Sequence, residues 1–144
     1  METKLIAYTH TIIQASLDKV WEALINPRMI KEYMFGANVL SDWKEGSEIL
    51  WRGEWKGNAY EDKGTILKLK KLKTLQYSHY SPLTGKPDLA ENYHIVTIKL
   101  SEFELYSGVE VELTQDNNET PEEQRHSENN WNQMLQGLKK FLER

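Results

Sequence analysis

The chain has 144 residues, a formal net charge of −4 and no cysteine. One domain, 1–144, is the expectation at this length, with enough buried surface to hold without a covalent staple. The missing cysteines exclude disulfides, thiolate zinc sites and cysteine nucleophiles, and the acidic balance argues against nucleic acid, which calls for a clustered positive face. No apolar stretch is long enough to span a membrane. Met1-Glu2-Thr3-Lys4 leads into no signal-peptide-like run, so a cytoplasmic protein is expected.

Residues 3–14 are rich in β-branched and aromatic types and predict a strand. Ser16 then stands as an N-cap before a helix in which Leu17, Val20, Trp21 and Leu24 share one face. Asn26-Pro27 ends it. A second short helix, roughly Arg28 to Phe35, stops at Gly36.

Strand signals fill the middle of the chain. They cover Val39 to Trp43, Glu48 to Trp55, Gly64 to Leu69, Thr74 to Ser81, Tyr93 to Phe103 and Val109 to Gln115. Turns are expected at Lys44-Glu45-Gly46, around Lys56-Gly57-Asn58, at Lys70 to Lys73 and near Ser107-Gly108. Residues 81–92, with two prolines and a glycine, read as a loop. In the last strand Val109, Val111 and Leu113 alternate with Glu110, Glu112 and Thr114, which predicts one buried and one wet face.

The final helix is signalled by Thr120-Pro121-Glu122-Glu123: a capping threonine, a proline at the first helical position, and a glutamate three residues after the cap. It should run from Pro121 to about Glu143. Glu122 to Asn130 is almost wholly polar. Trp131, Met134, Leu135, Leu138, Phe141 and Leu142 form one apolar face. The order is strand, two short helices, about six further strands, long helix. Short turns between consecutive strands imply an antiparallel sheet, and the large partner available to bury its apolar face is the last helix. The fold class is therefore α+β, a curved sheet of about six to seven strands around a long C-terminal helix.

Several segments carry a resemblance. Ile13-Gln14-Ala15-Ser16 followed by Lys19-Val20-Trp21-Glu22-Ala23-Leu24 is similar to the opening of the homologues of the activator of the heat-shock chaperone ATPase, within the START-like or SRPBCC superfamily. Gly64-Thr65-Ile66-Leu67-Lys68-Leu69, Leu75-Gln76-Tyr77-Ser78-His79-Tyr80 and the closing Trp131 to Leu142 pattern resemble its later strands and last helix. Gly46-Ser47 replaces the usual Gly-Gly, and His79 or Tyr80 replaces a tryptophan. The resemblance implies the helix-grip fold. It leaves function open, because the superfamily holds lipid carriers, hormone receptors, cyclases and chaperone partners.

Four histidines, His10, His79, His94 and His126, form no metal-ligand spacing. If the hairpin across 81–92 pairs symmetrically, His79 falls opposite His94 and Tyr80 opposite Tyr93, close enough for a shared metal or an acid–base pair. The blander reading is two ordinary strand histidines. Glu102, Glu104, Glu110 and Glu112 read as solvated strand faces, and Lys68, Lys70, Lys71 and Lys73 as the wet side and turn of a hairpin. No catalytic frame, metal site or cofactor motif is expected.

The aromatic residues Trp51, Tyr77, Tyr93 and Trp131, with His79, Met134 and Leu135, are the candidates for a ligand site between sheet and helix. A flat ligand burying about 300 Å² would gain roughly 7 kcal/mol before association costs. Three readings follow, in this order. The first is a non-enzymatic module binding a small apolar or aromatic ligand. The second is a protein-interaction domain with a chaperone or other protein as partner. The third is a cyclase- or hydrolase-type enzyme using pocket Tyr, His and Glu. Either a monomer or a homodimer fits.

Overall fold

In the computed structural model, which describes residues 5–103 and 108–144, the chain runs β1 (Leu5–Ile13), α1 (Leu17–Ile25), α2 (Pro27–Tyr33), β2 (Asn38–Ser41), β3 (Glu48–Trp55), β4 (Asn58–Lys70), β5 (Thr74–His79), β6 (His94–Phe103), β7 (Gly108–Asn118) and α3 (Pro121–Glu143). Thr3 and Lys4 of the expected first strand, Glu104, and Ser107 of the expected last turn lie outside the described residues. The strands make one antiparallel sheet of seven in the order β1-β7-β6-β5-β4-β3-β2. This is the α+β helix-grip architecture expected above.

Local chemistry sets the helix ends. Ser16 Oγ accepts the Lys19 amide at 3.3 Å, as an N-cap should. Asn26 closes α1 and caps α2, its Oδ1 accepting from the Arg28 amide at 3.0 Å. Thr120 Oγ1 accepts from the Glu123 amide at 3.0 Å, and Glu123 reaches back to the Glu119 amide at 3.2 Å.

One expected boundary is corrected. The strand predicted to begin at Gly64 begins at Asn58 and runs 13 residues. Its first half, Asn58 to Lys63, carries few apolar residues, so alternation does not reveal it. The turn does. Lys56 and Gly57 both have positive φ, 50° and 82°, the two-residue geometry that suits the right-handed twist of a hairpin. Pairing from Trp55↔Asn58 to Glu48↔Thr65 then follows without a break.

The core lies between the inner sheet face and the helices. Ile49 and Trp51 of β3, Ile66 of β4, Leu75 and Tyr77 of β5, and the alternate residues of β6 and β7 face Val20, Trp21, Leu24, Met134, Leu135 and Leu138 in one buried cluster. The predicted apolar half of α3 is the gripped half.

The polar stripe of α3 has its own task. β1 is an edge strand, and an edge leaves alternate N–H and C=O groups unpaired. Gln124 donates to the Ile6 carbonyl at 2.8 Å, Glu128 accepts from the Tyr8 amide at 3.0 Å, Lys139 donates to the Ile12 carbonyl at 2.6 Å, and Glu143 accepts from the Gln14 amide at 2.8 Å. The match is geometric. Nineteen helical residues rise about 28 Å at ~1.5 Å each, and eight strand residues span about 26 Å at ~3.3 Å each. Side chains four apart on the helix therefore meet backbone groups two apart on the strand.

Candidate functional site

Three adjacent strands build one corner of the inner face. Trp51 pairs directly with Asp62 across β3 and β4. His79 ends β5, two residues beyond Tyr77 and so on the same face. His79 Nε2 lies 2.9 Å from Asp62 Oδ2. The carboxylate accepts, so the proton sits on Nε2 and Nδ1 is left free of this bond. The Trp51 ring centroid is 5.0 Å from that of Tyr77 and 5.0 Å from that of His79, which it meets edge-on at 75°. Gly64 permits this approach of β4 to β5: a Cβ there would fall 1.7 Å from the Ser78 carbonyl oxygen. Any side chain there would have to push the two strands apart.

The second carboxylate oxygen, Asp62 Oδ1, is buried with no hydrogen-bond partner. An orphaned charged acceptor costs about 1–3 kcal/mol or more, so it calls for a physical explanation. Tyr60 stands beside it. Its ring lies over Gly53, where an added Cβ would come within 2.6 Å of the Tyr60 hydroxyl. Burial first, and then the Asp62 charge, raises the Tyr60 phenol above its ordinary pKa. Deeper in, burial pushes the phenols of Tyr77 and Tyr33 far up, with Tyr77 adding to the rise at Tyr33. Both stay protonated through the physiological range. Tyr33 donates to the Ala23 carbonyl at 2.6 Å.

On the helix side, the Trp131 indole N–H donates to Gln115 Oε1. Gln115 Nε2 donates to Ser127 Oγ at 3.2 Å, Ser127 donates to Asn118 Oδ1 at 3.0 Å, and Asn118 donates to the Gln115 carbonyl at 3.0 Å and to the Leu5 carbonyl at 3.1 Å. Trp131 is thus a half-buried roof anchored to β7. Met134 and Leu135 are sealed in the core at 2% and 0% exposure.

Of the candidates named from sequence, Trp51, Tyr77 and His79 come together. Trp131, Met134 and Leu135 line the helix side of the same grip. Tyr93 does not join them. It stacks on Tyr80 at 5.3 Å and donates to Asp88 Oδ1 at 2.6 Å, and it lines a groove on the outer sheet face with Leu67 and Ile95. A phase reversal explains this: Tyr93 shares the parity of Ile95, which alternates with the inward Val96. The Lys63 ammonium and the Tyr93 hydroxyl hold Asp88 below the usual carboxylate range. His79 and His94 do pair in register. Their rings take different partners, Asp62 for His79 and, at 2.9 Å, the Asp116 carbonyl for His94. Among the described residues no three metal-ligating side chains converge. Sequence reasoning missed Asp62 and Tyr60, because both lie in the unpredicted half of β4. The Lys56-Gly57 turn was the signal that could have placed them opposite Trp51 and Gly53.

Comparison with known proteins fits this geometry. The family described as Activator of Hsp90 ATPase homolog 1-like protein matches residues 14–143. No curated protein matches. The solution structure of ChR145 from Cytophaga hutchinsonii is 70% identical, with 99% of this chain and 97% of that one covered and a TM-score of 0.86. The solution structure of the Aha1 dimer from Colwellia psychrerythraea is 22% identical over 96% of each chain, with a TM-score of 0.75. CalU16 from Micromonospora echinospora is 20% identical, covering 97% of this chain and 85% of that one, with a TM-score of 0.70. These last two share the fold.

Proposed function

Since the chain belongs to the family of Activator of Hsp90 ATPase homolog 1-like proteins, whose fold grips a helix with a sheet, we propose that it is a small-molecule binding module. Its site is the Trp51–Asp62–His79 corner. The ligand is flat and largely apolar, and it presents one N–H or O–H donor. The observation that carries this reading is the buried, unpartnered Asp62 Oδ1 beside an aromatic wall. A donor there would relieve the orphaned oxygen, and the Trp51 face would bury the ring. Because Oδ1 is closed off, entry requires the half-buried Tyr60 to swing from its place over Gly53. The centre of the grip is occupied by the buried side chains of Trp21, Tyr33, Tyr77, Met134 and Leu135.

Native mass spectrometry of protein purified from its own host tests this. The expected result is a reproducible small-molecule adduct. Asp62→Asn, which keeps one acceptor oxygen for His79 and puts an NH2 donor in place of the other, should lower its occupancy at least about tenfold. Tyr93→Phe, on the outer face, should leave it unchanged. A bare mass, or an adduct indifferent to Asp62→Asn, rejects the corner as the site.

The His79–Asp62 hydrogen bond favours a second reading, acid–base chemistry on the bound molecule. In it His79 Nδ1 takes a proton while Asp62 steadies the imidazolium. Turnover of the captured ligand, abolished in His79→Gln with binding retained, separates the two readings.

A further inference from the structure

Near its end β4 changes phase. Ile66 pairs with Tyr77 and Lys68 with Gln76, so Leu67 is one residue too many on β4, a β-bulge. Before the bulge the even-numbered Gly64 and Ile66 are buried on the inner face; after it Leu69 packs on the core, and Lys68 and Lys70 turn outward. There, with Lys99 of β6 and the single acid Glu112, they line a groove of about 560 Å³ floored by Thr74, Gln76 and Thr97. Register fixes the spacing. Thr74 stands between Lys70 and Lys99, which sets those two backbones about 10 Å apart at ~4.8 Å per strand, with Lys68 about 7 Å from Lys70 along β4. Gln76 Nε2 donates to Thr97 Oγ1 at 3.0 Å, which leaves the Thr97 hydroxyl proton free to point outward. Lys70 lies 3.3 Å from Glu45. Lys99 stands across from Glu112 in register, yet the Glu112 carboxylate accepts from the Tyr8 hydroxyl at 2.7 Å. Among the described residues neither Lys68 nor Lys99 pairs with a carboxylate.

We infer that this groove binds a compact phosphorylated small molecule by its phosphoryl group, apart from the Trp51–Asp62–His79 corner on the inner face. Lysines on two sides of a floor of hydroxyl and amide groups suit a dianion whose several oxygens can accept from both. A carboxylate brings one charge and two oxygens and would leave part of that set unused. The volume falls within the range of small-molecule sites, ~300–1,000 Å³. What lies beside the groove limits the size of the ligand. Along the same strands runs a second outer groove with Asp88, Glu91, Asp116 and Glu119 in its lining and no lysine or arginine. Ser78, Ile95 and Asp116 there stand two residues from Gln76, Thr97 and Thr114 here. A long polyanion laid along the strands, or an anionic membrane pressed on the face, would meet those carboxylates. A compact anion does not. Leu67 and Ile95, 39% and 38% exposed at the junction, offer an apolar seat for its organic remainder.

Titration of the 15N-labelled full chain with inorganic phosphate at fixed ionic strength reads the site directly. The amide signals of Thr74, Gln76 and Thr97 should move and saturate, with a dissociation constant of roughly 1–10 mM for this minimal probe, as exposed charge contacts are individually weak. Lys68→Gln/Lys99→Gln should weaken it at least about fivefold, with an unchanged circular dichroism spectrum. Lys19→Gln/Lys31→Gln, which removes the same charge from α1 and α2, should leave it as it is. Shifts that stay linear to about 50 mM phosphate, shifts that survive Lys68→Gln/Lys99→Gln, or equal weakening by Lys19→Gln/Lys31→Gln would each overturn the inference. A single-stranded oligonucleotide of about 20 nucleotides and vesicles containing phosphatidylserine complete the test. Either one moving the same amides at a lower concentration of phosphate groups would replace the compact anion by a nucleic acid or a membrane, and overturn it as well.

Discussion

The two ends of the inner sheet face differ in kind. One end is aliphatic: Leu75, Ile98, Leu100, Val109, Val111 and Leu113 lie buried under the helices. The other is polar and aromatic, with Asp62, His79, His94 and Gln115 set among Trp51, Tyr77 and Trp131. The first end offers shape and apolar area and no chemistry. The second holds hydrogen bonds at fixed positions and one acceptor left open. Stability and recognition are thus divided along the strands, and substitutions on either side should separate them.

The largest effect is expected in the aliphatic half. Leu135→Ala empties a fully buried position on α3, and should lower unfolding free energy by about 3 kcal/mol in urea denaturation. The Trp51–His79 contact should survive in the folded fraction, seen as unchanged ring chemical shifts. Loss of those shifts would mean that the two ends are not separable.

Gly64→Ala comes next. The added methyl meets the Ser78 carbonyl oxygen of a neighbouring strand, which cannot yield as a side chain would. A loss of about 2 kcal/mol is expected, together with opening of the Asp62–His79 bond, visible as changed His79 ring chemical shifts. A neutral substitution would show that β4 and β5 can part freely at this point.

How far the sequence revealed this division can be judged residue by residue. The aliphatic half was legible, because Val109, Val111 and Leu113 alternate cleanly and Met134, Leu135 and Leu138 recur at helical spacing. The cross-strand partnership of His79 and His94 followed from hairpin symmetry. The polar half was legible only in part. Asp62 sits in a run without apolar periodicity, and its role depends on pairing with Trp51, a partner eleven residues earlier that only register identifies. Tyr93 was misplaced because an irregular loop precedes it and leaves its phase undetermined. The stripe Gln124, Glu128, Lys139 and Glu143 is polar throughout. Nothing in its composition says that the surface beside it is backbone.

That stripe gives the smallest prediction. The Gln14 amide, then the Lys139 ammonium, holds Glu143 below the ordinary carboxylate pKa. A lowered folded-state pKa adds stability above the unfolded value, and that stability is lost as pH falls through the folded value. The Gln14 amide proton shift should therefore titrate with a midpoint below about 4.3, with a loss of well under 1 kcal/mol. A midpoint at or above that value would show the contact to be incidental.

The same contacts impose an order on biosynthesis. Within this sequence β1 is made well before its partners: its sheet neighbour among the described residues is β7, and the side chains that cover its open edge lie 118 to 129 residues downstream. At ~5–20 residues per second, β1 waits on the order of 5–25 s for a partner. Meanwhile the meander from β2 to β6 can zip up by local hairpins. β1 is the piece a nascent-chain chaperone would find unpaired, and its docking on β7 is the event that closes this edge of the sheet.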